Sequence, residues 1–310
     1  MLHISDEMVN AVVTAPDAQE VLLAAFLGYA DGRASMQKRI RTEADGVKLS
    51  TLGAVIPGQE VAGAKVYTTI NGQFSFVILL FSAKDGRPLA TFDAAALTRI
   101  RTAACTVLLA KKLARRSATT MGLFGAGVQG FEHAIQLTRE FGLKQILVCD
   151  PYAPADIASR LAEASGADVR IAAADDTAAN SDILVTASRS TTPLFSGELL
   201  RPGTFVAAIG SSLPTTRELD DDAIAKAKAI VIEWRQQSLE EAGDLILADP
   251  VALADEKVIE VAHVLAGTSL GRESEDDIFI YKSVGVGLED IALAGHAYRQ
   301  VAKLQGLALP

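Results

Sequence analysis

The sequence predicts an α/β protein in which a Rossmann-type, doubly wound parallel sheet is joined to a second domain. Three observations carry this. From about residue 119 onward, short apolar runs alternate with amphipathic stretches, the pattern of parallel strands with helices on both faces. A Gly-x-Gly-x-x-Gly turn at Gly125, Gly127 and Gly130 follows the first of those runs, and an acid, Asp150, closes the next one. At 310 residues the chain is also longer than most single hydrophobic cores, so two domains are expected.

In chain order, residues 18–30 repeat apolar side chains at helical spacing and stop at Asp31-Gly32. Residues 48–56, 64–70 and 74–82 are rich in β-branched and aromatic residues and read as strands. Lys84-Asp85-Gly86-Arg87 then supplies a hairpin turn into a strand over 88–92. Residues 94–114, dense in alanine, read as a helix, and Ser117-Ala118-Thr119-Thr120 as the domain boundary. Residues 1–118 and 288–310 are thus expected to form one domain, and 119–287 the other. In the latter, strands are expected over 121–125, 145–150, 169–172, 183–187, 205–209 and 229–234, with helices over 131–141, 157–164 and 219–227 among the segments between. Residues 288–304 read as one long helix returning to the first domain.

The glycine turn has the spacing of a dinucleotide clamp. Its first glycine permits the tight turn out of a strand, the second lets the backbone approach a pyrophosphate, and the third lets the next helix pack close to the sheet. The helix start adds unpaired N–H groups and a positive dipole end. Asp150 lies twenty residues beyond Gly130, where a carboxylate accepts hydrogen bonds from the adenosine ribose and repels a 2′-phosphate. No arginine follows it before Arg160, so NAD(H) is expected ahead of NADP(H), with the latter left open. Ligands of such sheets bind beyond the carboxyl ends of the strands, which places Thr186-Ala187-Ser188 and Gly210-Ser211-Ser212-Leu213-Pro214 near cofactor and substrate.

Composition narrows the function classes. Twenty-nine basic against 38 acidic residues give a net charge of −9, which argues against a nucleic-acid surface. The first residues do not read as a signal peptide, and no apolar run approaches the roughly 20 residues that span a bilayer, so no membrane partner is expected. Cys105 and Cys149 form neither a disulfide framework nor a CxxC motif, and a cytoplasmic compartment fits. His3, His133, His263 and His296 lack metal-binding spacing. Asp220-Asp221-Asp222 and the acids of Glu273–Asp277 read as solvated helix-start carboxylates, and no metal is expected.

Several segments, taken together and in order, resemble the ornithine cyclodeaminase and mu-crystallin family. They are Arg41-Thr42, Gly63-Ala64-Lys65, Asp85 to Ala90, Arg101-Thr102-Ala103-Ala104, Gly125 to Gln129, Gly210 to Leu219, Gly243-Asp244-Leu245 and Tyr281 to Gly285, and the likeness runs from about residue 33 to 295. The resemblance implies a nucleotide-binding domain beside an α+β substrate-binding and dimerisation domain built from both chain ends. It implies a homodimer acting on a small imino or amino acid. Carried over position by position, it puts Arg41, Lys65 and Arg101 around a substrate carboxylate, with Ser283 and Val284 at the edge of that site. Val128, Gln129, Asp150, Thr186 and the segment from Ile209 through Gly210 and Ser211 to Ser212 fall against the cofactor. The residue types suit these tasks: a guanidinium grips a carboxylate in a planar fork, and an ammonium adds a compact charge that can also donate a proton.

Two departures bear on the reaction. Cyclodeaminases of the family resemble one another in an Asp within Gly-x-Asp-x-Pro and a Glu three residues before the proline matching Pro57, whereas this chain has Ser212 and Ala54. A serine hydroxyl is not basic near neutral pH, and general-base catalysis needs a group whose pKa lies near it. The expected activity is therefore NAD(P)H-dependent reduction of a 2-imino acid, Δ1-pyrroline-2-carboxylate or iminosuccinate, to an L-amino acid. Lys65 would keep the imine protonated, and Ser212 would hydrogen-bond the substrate nitrogen or orient a water. Lys48 and Arg39 are open to two readings, contact with a distal carboxylate, which would favour iminosuccinate, or exposure to solvent. An alanine or other amino-acid dehydrogenase is the nearest alternative, ahead of a cyclodeaminase or a non-catalytic binding protein.

Overall fold

The computed structural model describes residues 1–269 and 271–307, and the chain divides into two compact units, residues 1–105 with 285–310 and residues 106–284. The first unit opens with β1 (Leu2–Ile4), α1 (Asp6–Val12) and α2 (Ala15–Ala30). Thr14 and Asp17 cap α2 reciprocally, with Pro16 in its first turn, so this helix begins three residues before the expected start. Then come β2 (Ser35–Met36), β3 (Ile40–Ala44), β4 (Val47–Ile56), β5 (Val61–Ile70), β6 (Gln73–Ser82), β7 (Pro88–Phe92) and α3 (Ala95–Leu113). The sheet order is β1-β7-β6-β5-β4-β2, with β3 also on β4. Its central strands are antiparallel and in register, so that Lys65 on β5 stands opposite Leu52 on β4 and Ile78 on β6, all three buried. The β1, β2 and β3 strands and α1 are additions to the expected elements. The first three are too short or too exposed for alternation to mark them.

The second unit carries β8 (Thr120–Phe124), α4 (Val128–Phe141), β9 (Gln145–Cys149), α5 (Ile157–Ser165), β10 (Asp168–Ile171), α6 (Ala174–Ala179), β11 (Ile183–Thr186) and β12 (Phe205–Ala208). It continues through α7 (Asp221–Lys226), β13 (Ala229–Ile232), α8 (Arg235–Glu241), α9 (Gly243–Ile246), β14 (Val258–Glu260), α10 (Val261–Ala266) and β15 (Phe279–Lys282). All eight strands run parallel in the order β10-β9-β8-β11-β12-β15-β13-β14, the Rossmann-type arrangement expected. The order reverses between β8 and β11, the switch point at which doubly wound sheets bind ligands. Two strands were not foreseen, β14 and β15. The latter inserts between β12 and β13 as four fully buried residues, and such a run has no periodicity to read.

The chain then returns to the first unit as α11 (Gly287–Leu304), which packs on β4, β5 and α2. The two units part at 105/106 and 284/285, against 118/119 and 287/288 from composition. The first division falls inside α3, whose alanine-rich, largely buried run shows no linker chemistry there. No single described helix is long and apolar enough to cross a membrane.

Candidate active site

In the first unit the sheet and α11 bury a cluster of opposite charges. Lys65 points from the centre of β5 and is 3% exposed. Its Nζ donates to Thr98 Oγ1 at 2.5 Å and to Asp290 Oδ1 at 3.2 Å, and lies 4.4 Å from the centre of the Phe76 ring. Arg101 on α3 donates from Nε to the same Asp290 oxygen at 3.3 Å and from Nη1 to Glu289 Oε2 at 2.6 Å. Asp290 and Glu289 are neighbours in the first turn of α11 and are fully buried, where the positive helix end favours negative charge. Burial pushes the Lys65 amine down to about 8, with Asp290 pulling it up and Arg101 pushing it down further. Burial would raise the Asp290 carboxyl, but Lys65 and Arg101 outweigh it and hold that group below the usual carboxylate range. The pair is therefore ionised at neutral pH. A buried charge is tolerated only when paired in this way.

Lys65 and Arg101, named from sequence, are thus brought onto one carboxylate oxygen. Arg41 stands half-buried on β3, opposite Ser50 on the neighbouring strand. Arg39 lies nearer the cluster than its sequence context suggested. It donates to the Gly285 carbonyl at 2.8 Å, and its charge is felt by both Lys65 and Asp290. Lys48 pairs with Glu43 at 3.1 Å on the surface. Thr98, Glu289 and Asp290 escaped the sequence reading, although adjacent acids just ahead of the apolar Ile291–Ala294 run of the Gly287–Leu304 helix were the available signal.

In the second unit the glycine turn has the geometry its spacing required. Gly125 sits at φ +89°, where an L side chain is strained, and a Cβ there would lie 2.7 Å from the Ala187 carbonyl. At Gly130 a Cβ would run into the Gly125 carbonyl, so this residue lets α4 rest on the turn. Gly127 is the N-cap of α4 without a side-chain cap bond, and a Cβ there would meet nothing. The helix start is therefore open to an incoming phosphate. Val128 is exposed beside it and Gln129 half-buried. Asp150 ends β9 half-buried, accepting from Ala126 N–H at 2.8 Å and Tyr152 N–H at 2.9 Å. Each carboxylate oxygen has a second lone pair, so the acid can brace the turn and still accept from a ribose hydroxyl. Arg160 is turned toward Asp156 and the Phe131 ring.

Beyond β11 and β12 the expected cofactor segments Thr186–Ser188 and Ile209–Ser212 are tied together by side chains the sequence did not single out. Thr186 and Ser211 are fully buried, and Ala187, Ser188, Ile209, Gly210 and Ser212 half-buried. The Thr186 hydroxyl donates to Glu218, and that of Ser211 to the Thr216 carbonyl. Ser283 Oγ and Val284 N–H both donate to buried Glu233. Among the described residues no group of three or more His, Cys, Asp or Glu side chains is placed to hold a metal ion. Asp220 caps α7 by accepting from Ala223 N–H, while Glu273 and Asp277 pair with Lys228.

An open parallel sheet with a glycine-rich turn at its switch point, and a separate unit carrying a buried lysine–arginine–carboxylate cluster, define a two-unit α/β protein of Rossmann-type class. The model of the ornithine cyclodeaminase/mu-crystallin family matches residues 1–304, and the chain belongs to that family. A Δ1-pyrroline-2-carboxylate reductase from Bacillus cereus is 33% identical over 266 residues, covering 84% of this chain and 78% of that protein. The solved structure of a probable ornithine cyclodeaminase from Bordetella pertussis Tohama I is similar with a TM-score of 0.99 and 64% identity over 100% of both chains. The Thermococcus litoralis Δ1-pyrroline-2-carboxylate reductase, solved in complex with NADH and L-proline, is similar with a TM-score of 0.93 and 26% identity, again over 100% of both chains.

Proposed function

We propose that this protein uses NAD(P)H, with NADH preferred, to reduce the C=N bond of a small 2-imino acid to an L-amino acid, Δ1-pyrroline-2-carboxylate or iminosuccinate. The observation that carries the reading is the Lys65 ammonium, buried, protonated at neutral pH and fixed by Asp290 and Thr98 beside Arg101. The similarity to pyrroline-carboxylate reductases supports it.

Arg101, braced by Glu289 and Asp290, holds the substrate carboxylate with Arg41. Lys65 keeps the imine nitrogen protonated, which withdraws electrons from the adjacent carbon. The turn at Gly125–Gly130 and Asp150 hold the coenzyme, whose chemistry is to supply a hydride. As the new C–H bond forms, the C=N π pair goes to nitrogen and leaves the amine. Ser212 orients the substrate nitrogen or a water. Positioning of this kind accounts for effective molarities on the order of 10⁵ M or more.

The apolar face of the first unit's sheet supports a homodimer. Ile40, Val47, Leu49, Val55, Ile70, Val77 and Phe81 are all exposed, and the strand registers put them on the side opposite Lys65 and Leu52. Contiguous apolar surface on a folded chain marks an interface, and a second copy is the occupant proposed.

Ornithine cyclodeamination is the second reading, favoured by the name of the 64%-identical relative. Ser212 opposes it, having no basicity to activate water. Purified protein assayed with NADH and NADPH on both imino acids, on pyruvate with ammonia, and with L-ornithine and NAD⁺ separates the readings. Reduction of an imino acid without ammonia release from ornithine is expected. Turnover of ornithine alone would overturn the proposal, and turnover of pyruvate with ammonia alone would make the protein an amino-acid dehydrogenase.

A further inference from the structure

The loops leaving β11 and β12 converge on one side chain. Glu218, fully buried, accepts five hydrogen bonds: at Oε2 from Thr186 Oγ1 (2.9 Å), Gly210 N (2.8 Å) and Ser211 N (3.1 Å), and at Oε1 from Ser188 N (2.7 Å) and Ser188 Oγ (2.7 Å). At Gly210 a Cβ would run into the Ser188 carbonyl and the Glu218 carboxylate, so the group is wedged between the two loops. Asp244 Oδ1 accepts from the Glu218 and Leu219 N–H groups at 2.6 and 2.9 Å. Its other oxygen pairs with buried Lys282 at 2.9 Å, and Lys282 also donates to the Ala208 carbonyl at the end of β12. Two acids and one base are thus gathered at the carboxyl ends of β11 and β12.

The sheet order says which part of a dinucleotide meets this place. With the diphosphate over the Gly125 turn at β8 and the adenosine toward Asp150 at β9, the other half extends the opposite way, over β11 and β12. There the backbone N–H groups of Ser188, Gly210 and Ser211 are spent on Glu218, whereas α4 starts from Gly127 with no side-chain cap, the arrangement that suits a phosphate. The start of α4 suits an anion. The loops after β11 and β12 are built on a carboxylate.

We propose that Glu218 is a positioning residue that shapes the loops under the nicotinamide half of the coenzyme and, as an ionised carboxylate, stabilises the positive charge the ring gains when it gives up hydride. The inference rests on the coenzyme binding proposed above. Burial pushes the Glu218 carboxyl above the usual carboxylate range, and against it the Lys282 charge and three of the five partners, backbone N–H groups that can only donate, favour the ionised form. A positive ring nearby is favoured over a neutral one by simple Coulomb attraction.

Calorimetry on the full chain with NAD⁺, NADH and ADP-ribose, for the unaltered protein and Glu218→Gln, tests it. ADP-ribose binding should stay within about twofold, NADH should weaken a few-fold, and NAD⁺ should weaken about tenfold more than NADH. Equal losses for all three ligands, or no loss, would overturn the inference while leaving the proposed function standing. Failure of the unaltered protein to take up either coenzyme would sink both. If Glu218→Gln does not fold, Thr186→Val decides. By removing one neutralising donor it should shift preference toward NAD⁺ by about two- to threefold, and an unchanged ratio overturns the inference.

Discussion

Both units bury carboxylates, but to opposite ends. In the first, Asp290 and Glu289 hold cationic side chains, Lys65 and Arg101, whose positive charge is what the proposed carboxylate substrate would need. In the second, Glu218 and Glu233 hold backbone N–H groups and hydroxyls, and Asp244 holds two N–H groups and the buried Lys282 ammonium, which is itself tied to the Ala208 carbonyl, so that the acids set loop shape. On the proposed reading a buried acid does chemistry by proxy in one place and architecture in the other. The difference lies in whether the cation it holds is proposed to meet a substrate or, like Lys282, is tied back to the fold.

That contrast breaks most sharply at Lys65. Lys65→Ala is expected to lower kcat/KM for imine reduction by about 10³-fold or more. NADH uptake, followed by calorimetry, should be nearly unchanged, and loss of both together would make Lys65 a structural residue like the partners of Glu218. Arg101→Ala comes next. It removes the 2.6 Å bond to fully buried Glu289 and one of the cations that act on Asp290, and should cost about 3–5 kcal/mol of stability in urea titrations. An unchanged midpoint would mean that water or a neighbour already compensates the acids.

The smallest effect is in pH. Burial brings the Lys65 amine down to about 8 from its ordinary 10.5, and the protonated form is the one the proposed reaction needs. Imine reduction should therefore fall as pH rises through about 8, approaching tenfold per unit well above it. Stability runs the other way. The folded chain binds this proton less tightly than the unfolded one, so the cost of the buried ammonium is full below pH 8 and relieved between there and 10.5. A flat rate profile from pH 7 to 9 would remove Lys65 from its proposed role.

Local chemistry decided what the sequence disclosed. The glycine turn was legible because each of its constraints is met within a few residues, and the long α11 because its periodicity runs over 18 residues. Lys65 was legible as a charge inside an apolar strand. Its partner Asp290 was not, because it lies 225 residues away and only the packing of α11 on β5 brings them together. Arg39 and Arg41 sit on adjacent stretches of similar composition, and nothing local says which one feels the cluster. Glu218 was hidden for a related reason: its five donors come from segments that meet only after β11 and β12 pair.

The bond from Ala126 N–H to Asp150 has a practical consequence for anyone wishing to retarget the coenzyme. The usual route to phosphorylated nicotinamide dinucleotides is to delete the acid that discriminates against them. Here that deletion would also cut a tether inside the glycine-rich loop. On the proposed coenzyme binding, selectivity and grip are mechanically linked through one side chain, and a redesign must supply a new brace for the loop before it can change the preference.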